Sequence, residues 1–156
     1  MSSNDDERRA ETLKLMRDYQ TLLGQGRFDE WVELWAEDGV LEFPFAPAGR
    51  RRAYQGKAAI LAYMKHATGR IAADSVEQMR ISPMLDPGMA AVELSIKGHA
   101  LANDAPYNQS FVIFFEVQDG KLRHHREYWN PLVTIDAVGG RDVWAKGFGF
   151  PEASAA

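Results

Sequence analysis

Phe111 to Pro131 reads FVIFFEVQDGKLRHHREYWNP, and this stretch decides the fold. Phe111 to Val117 is a strongly apolar strand, Asp119-Gly120 is a two-residue hairpin signal, and Lys121 to Asn130 is the returning strand. A tight turn there sets Gln118 opposite Lys121, Glu116 opposite Arg123, Phe114 opposite His125 and Val112 opposite Glu127, all on one face. Phe111, Ile113, Phe115 and Val117 take the other face, against Tyr128, Arg126, His124 and Leu122. Both faces are substantially apolar, whereas a sheet with one buried face shows a clean polar side. One face is therefore expected to pack on helices, with Glu127 beside Val112, Phe114 and Trp129. The other, carrying Phe111, Ile113, Phe115 and Tyr128, is expected to meet a second copy of the chain, giving a homodimer through the outer sheet face.

Upstream, helical signals dominate. Asn4 with Glu7 resembles a capping box, and Leu15, Met16, Tyr19, Leu22 and Leu23 recur at helical spacing until Gly24 and Gly26. Phe28, Trp31, Val32 and Trp35 predict a shorter helix that Asp38-Gly39 stops, and Gly39 to Phe45 reads as a strand cut by Pro44 and Pro47. GRRRAYQG, residues 49–56, is a loop or a short edge strand. Lys57 to His66 returns to helix, with Ile60, Tyr63, Met64 and Ala67 as its stripe. Strands follow at Val76 to Ile81 and Met89 to Leu101, with turns at Asp86-Pro87-Gly88 and Asn103-Asp104-Ala105-Pro106. Pro131 ends the sheet, and the tail with Gly139, Gly140, Gly147 and Gly149 is expected to be only partly ordered. Helices first and long strands afterwards give an α+β fold.

At 156 residues the chain is the size of one domain, 1–156, with a core of about 8–135 and an extension at 136–156. The absence of cysteine excludes disulfides, thiolate zinc sites and a thiol nucleophile. A net charge of -4 argues against a protein that lives on phosphate backbones, so no nucleic-acid partner is expected. The opening MSSNDDERRAE lacks the basic start and apolar core of a signal peptide, and no run approaches a membrane span. A cytoplasmic domain with no membrane partner is the expectation.

Glu127 is the residue with the most chemistry. A carboxyl among apolar side chains has its anion disfavoured by desolvation, which suits it to act as an acid or base near neutral pH. The alternative is a rim glutamate paired with Arg123 or a loop arginine. His124 and His125, as strand neighbours, point to opposite faces and cannot chelate one metal together. No metal motif occurs elsewhere, so no metal is expected.

Tyr19 to Pro44, YQTLLGQGRFDEWVELWAEDGVLEFP, resembles the opening of the nuclear transport factor two-like superfamily. That superfamily contains ketosteroid isomerases, SnoaL-type polyketide cyclases, scytalone dehydratase and binding-only members. Tyr107 to Pro131 looks most like its phenazine-biosynthesis A/B branch, and the resemblance covers roughly residues 8–135. It implies a cone: a strongly curved antiparallel sheet wrapped around three helices (a cystatin-like roll), with one pocket at the wide end and dimers through the outer sheet face. Tyr19 matches the pocket tyrosine of the isomerases. Their general base falls at Phe43 and their oxyanion-hole aspartate near Val112, so their mechanism is disfavoured here. The acid–base glutamate of the phenazine branch matches Glu127. The branch's helix histidine falls at Tyr63, with His66 one turn further on.

These readings converge on a small enzyme, needing no cofactor, that acts on an aromatic or polycyclic molecule by acid–base catalysis: isomerisation, cyclisation, dehydration or condensation. Glu127, Tyr19 and His125 are the candidate catalytic residues. Tyr63, His66, Trp31, Trp35, Phe43, Val112, Phe114 and Trp129 are the candidate ligand contacts, the aromatics serving equally as core. Arg50, Arg51 and Arg52 form a solvated loop or an attractive mouth for an anion. Asn108 and Asn130 orient a ligand or satisfy strand ends. The rival readings are a non-catalytic binding protein of the same fold and an interaction module using the outer sheet face.

Overall fold

The computed structural model describes residues 3–47 and 50–146. Helix α1 (Ser3–Gly24) is followed by one turn, α2 (Phe28–Trp31), a 3-10 turn (Val32–Leu34), and strands β1 (Trp35–Glu42) and β2 (Ala53–Gln55). Helix α3 (Lys57–Thr68) precedes β3 (Ile71–Pro83), β4 (Met89–Ala100), β5 (Gln109–Gln118) and β6 (Lys121–Trp129), and α4 (Pro131–Ala137) and α5 (Arg141–Ala145) close the described chain. The six strands form one curved, open sheet in the order β2-β1-β6-β5-β4-β3. All pairs are antiparallel except β1 with β6, which run parallel. The fold is the expected α+β cone.

Several boundaries differ from the sequence expectation. The helix read through Phe28 to Trp35 tightens after Trp31 and turns into β1 at Trp35, so Trp31 and Trp35 sit on different elements yet pack 5.8 Å apart. The GRRRAYQG segment does form a short edge strand, Ala53–Gln55. Strand β3 is longer than the expected Val76–Ile81, because its edge pairing with β4 continues through Ile71 to Ser75 and Ser82 to Pro83, stretches without a clear alternation. Beyond Pro131 the described chain forms two short helices, α4 and α5, which the sequence reading did not mark. Pro131 takes the first position of α4, where its missing N–H costs nothing, and Asn130 caps it by accepting from the Leu132 N–H at 3.0 Å. That assigns Asn130 to the end of the strand. Residues 147–156 lie outside the described chain.

The decisive hairpin turns where expected, with Asp119 and Gly120 both at positive φ (52° and 70°), the signature of a type I′ turn. Its register does not hold. Gln118 pairs with Lys121 and Val117 with Leu122, but Glu116 then pairs with His124, leaving Arg123 as the extra residue of a bulge. Beyond it Phe115 faces His125, Ile113 faces Glu127 and Phe111 faces Trp129. One inserted residue flips every later side chain. Phe111, Ile113 and Phe115 therefore line the concave face with His125, Glu127 and Trp129, and are not a dimer face. Val112 and Phe114 lie on the convex face with Arg126 and Tyr128, and are not pocket walls.

Strand β1 is irregular at the same level, between Trp35 and Val40, and Gly39 makes this possible. A Cβ there would lie 2.9 Å from the Trp35 ring, closer than real Cβ atoms sit, and a tight 3.2 Å from the Leu122 carbonyl.

The core fills the concave side. Leu15, Met16 and Tyr19 of α1, Ile60 of α3, and Leu41, Ala90, Val92, Ile113, Phe115 and Leu122 of the sheet are buried together with Trp31 and Trp35. Among the described residues no helix is long and apolar enough to cross a membrane.

Candidate active site

Tyr19, on the inward stripe of α1, is 1% exposed. Its hydroxyl meets His125 Nδ1 of β6 at 3.0 Å, and His125 Nε2 meets Glu127 Oε2 at 2.9 Å. The three side chains make one continuous chain across 108 residues of sequence, from Tyr19 to Glu127. Burial raises the Tyr19 hydroxyl well above its ordinary value, and the nearby Glu127 charge raises it further; the Trp31 indole, too poorly placed for a hydrogen bond, lowers it slightly. The hydroxyl thus stays protonated and is able to donate to Nδ1 of a neutral ring. The ring proton then belongs on Nε2, where it donates to the Glu127 carboxylate.

The imidazole has little freedom. It stacks on Trp35 at 5.9 Å and 9°, and meets Phe115 edge-on at 4.7 Å. Tyr19 in turn contacts Trp31 and Phe115, each at 5.2 Å. Packed rings and two hydrogen bonds fix His125, and His125 fixes one oxygen of Glu127. Glu127 itself is partly open, its side chain 17% exposed. Among the described residues no lysine or arginine pairs with it. Arg123, the expected alternative partner, is bound to Asp38 at 3.0 Å across the bulge, and Arg126 points to the convex face over Phe114.

A second aromatic wall stands nearby. Tyr63 of α3 is half-buried and packs 4.6 Å from Tyr54 and 4.9 Å from Phe43. Burial, then the Glu127 charge, push the Tyr63 hydroxyl well up, so it too remains a neutral donor. Trp129, two residues beyond Glu127, is partly buried beside the core and lies 6.4 Å from Trp144. The structure thus brings together Tyr19, His125, Glu127, Trp31, Trp35, Phe43, Tyr63 and Trp129.

Three expected contacts fall elsewhere. Val112 and Phe114 were displaced by the bulge. His66 sits near the end of α3 with Arg70 Nε donating to its Nε2 at 3.1 Å. It lines an open cleft of about 580 Å³ with Lys65, Arg70, Leu101, Asn103 and Val143, a lining that includes none of Tyr19, His125 and Glu127. Chemistry rather than cleft size locates the site, because nothing in that cleft combines a held carboxylate with apolar walls. His124 and His125 do point to opposite faces, His124 meeting Glu42 at 2.7 Å on the convex side. Among the described residues no cluster of three or more metal-binding side chains occurs.

Sequence reasoning missed Phe115, Tyr54 and Tyr107. The Tyr107 hydroxyl is raised by burial first and by the Glu127 charge last. Phe115 was legible only through the register, whereas Tyr54 carried a weak signal as the one large apolar residue in a basic loop.

Losing the first link of the chain has a measurable cost. Tyr19→Phe leaves a buried imidazole nitrogen without its donor and is expected to lower stability by about 1–2 kcal/mol in urea unfolding. A variant as stable as the parent would show that this bond carries no weight.

The SnoaL-like domain model matches residues 16–125. The uncharacterized protein YesE of Bacillus subtilis is 35% identical over 140 residues, covering 90% of this chain and 93% of that protein. An uncharacterized PhzA/B-like protein of Pseudomonas aeruginosa is 31% identical, covering 80% and 88% respectively. A Bacillus subtilis crystal structure provisionally named an isomerase superposes with a TM-score of 0.77 at 34% identity, covering 90% of this chain and 98% of that one. A phenazine biosynthesis-related protein of Pseudomonas aeruginosa shares the fold, with a TM-score of 0.75 at 22% identity and coverage of 88% and 91%.

Proposed function

The chain belongs to the SnoaL-like domain family, and from that premise we propose that it is an acid–base enzyme acting on an aromatic or polycyclic small molecule. Glu127 is the group that moves the proton. The observation that carries this reading is a carboxylate held on one oxygen by a buried histidine, paired with no cation among the described residues, partly exposed, and close enough for its charge to act on the Tyr19 and Tyr63 hydroxyls. A carboxylate locked to arginine would be spent on structure. This one keeps a second oxygen for a ligand.

The residues divide the work as follows. Glu127 takes a proton from a carbon beside a carbonyl, becoming neutral as the C–H electron pair passes into an enolate, and returns the proton at the same or another carbon. Tyr63, a neutral donor within reach of the Glu127 charge, is suited to the developing oxyanion. Tyr19 and His125 act through Glu127 and are positioning residues. Isomerisation, cyclisation, dehydration and condensation share this proton step. The isomerase-named relative and a same-fold protein named polyketide cyclase are in keeping with that class.

The test needs no natural substrate. 2-Tetralone has acidic carbon-bound protons flanking its ketone and a fused ring of suitable shape. In D2O the protein is expected to speed deuterium uptake at those carbons above the buffer rate, followed by proton NMR. Tight binding of the ketone with uptake at the buffer rate would assign the chain to the non-catalytic binders of this fold.

We also propose a homodimer, now through the corrected convex face. Val112, Phe114 and Tyr128 are joined there by Phe45, which packs on Tyr128 at 5.1 Å and is itself 61% exposed. Phe114→Glu places a charge in that patch and is expected to turn a dimer into a monomer in sedimentation velocity at micromolar concentration. A parent chain that sediments as a monomer would contradict the proposal.

A further inference from the structure

We infer that Arg50 is an anion-binding subsite for the ligand of this same ring-lined space, selecting molecules that carry a carboxylate or a like oxyanion. Arg50 sits on the loop between β1 and β2, half-buried, with its guanidinium carbon 4.9 Å above the Trp144 ring of α5. Its Nη2 is shut off from solvent and has no hydrogen-bond partner among the described residues. Its neighbours differ: Arg51 and Arg52 are exposed, and Arg51 donates through Nε to the Ala53 carbonyl at 2.9 Å.

Both sides of Arg50 lead to Glu127. Trp144 packs on Trp129, two residues along β6 from Glu127. On the other side burial raises the Tyr54 hydroxyl, and the charge of Arg51, which lies 4.8 Å over that ring, and then that of Arg50 act to lower it. Tyr54 packs on Tyr63, which feels the Glu127 charge. A stacked guanidinium with an idle, dehydrated N–H wants an acceptor. Leaving such a donor unmade is costly, and a planar carboxylate supplies the strongest partner of matching shape. The two charges suit different ends of one molecule: its anion at Arg50, its reacting carbon at Glu127. In a chain of net charge -4, a local cation is also what makes anion capture feasible.

This inference rests on the interior being a ligand site, though not on Glu127 being catalytic. The experiment titrates the full chain with 2-naphthoate and with its neutral isostere 2-naphthamide, by calorimetry. The acid is expected to bind about 10-fold or more tightly than the amide. Arg50→Gln should bring the two affinities together by weakening the acid alone, and Arg50→Lys should keep part of the preference. Glu127→Gln should leave the preference standing, so its survival is independent of any loss of proton transfer. Equal affinities in the parent chain, failure of the acid to bind, or a preference that survives Arg50→Gln overturns the inference. So does equal loss of both probes in Arg50→Gln and Arg50→Lys, which would assign Arg50 to holding Trp144.

Discussion

Glu127→Gln is expected to cut catalysed deuterium uptake by 2-tetralone by about 100- to 10,000-fold, the range typical of losing a positioned acid or base. Glutamine keeps the size of the side chain, and its amide oxygen still accepts from His125 Nε2, so the aromatic surroundings and the Tyr19–His125 link remain intact. What disappears is the ability to take up a proton from carbon. Binding of 2-naphthamide is expected to survive, which separates lost chemistry from lost fold. A variant that exchanges within about twofold of the parent would remove Glu127 from the mechanism.

The largest structural effect is expected at Trp35. Its side chain is fully buried, stacked on His125 and 5.8 Å from Trp31, at the point where the 3-10 turn passes into β1. Trp35→Ala removes a large ring from a fully buried site packed by Tyr19, Trp31 and His125 and leaves a cavity there. About 3–5 kcal/mol of stability should be lost, read as a fall in the urea midpoint at unchanged slope. Because the ring also holds the imidazole flat, the folded fraction should exchange 2-tetralone more slowly than the parent. A loss below about 1 kcal/mol would mean that the ring is not part of a packed core.

How far the sequence carries the fold depends on local signals. The α1 stripe, the Asp119-Gly120 turn and the helix-then-strand order follow from periodicity and turn chemistry that act over a few residues, and each is found in the structure. The β5–β6 register is different. His124, His125, Arg126 and Glu127 are four polar residues in a row, so no hydrophobic alternation marks which face is inward. The bulge at Arg123 lies against the irregular stretch of β1, where Gly39 and Asp38 sit, a neighbour that the hairpin's own sequence does not contain. Reading the strand as regular put Glu127 beside Val112 and Phe114 instead of Ile113 and Phe115. Relative placement within β6 was unaffected, because His125, Glu127 and Trp129 keep their alternation after the bulge. That is why the shared face of His125 and Glu127 was legible while the walls around it were not. Tyr19 was reached by resemblance, and its bond to His125 only by the fold.

A crystal structure of the complex with 2-naphthol, a planar mimic of the 2-tetralone enol, is the most direct single measurement. The expected result places the naphthol ring between Tyr63 and Trp129, with the carbon beside its oxygen within about 3.5 Å of the free Glu127 oxygen. A ligand seated instead in the cleft of Lys65, His66, Arg70 and Val143, with Glu127 untouched, would contradict the assignment of Glu127 as the proton-transfer group.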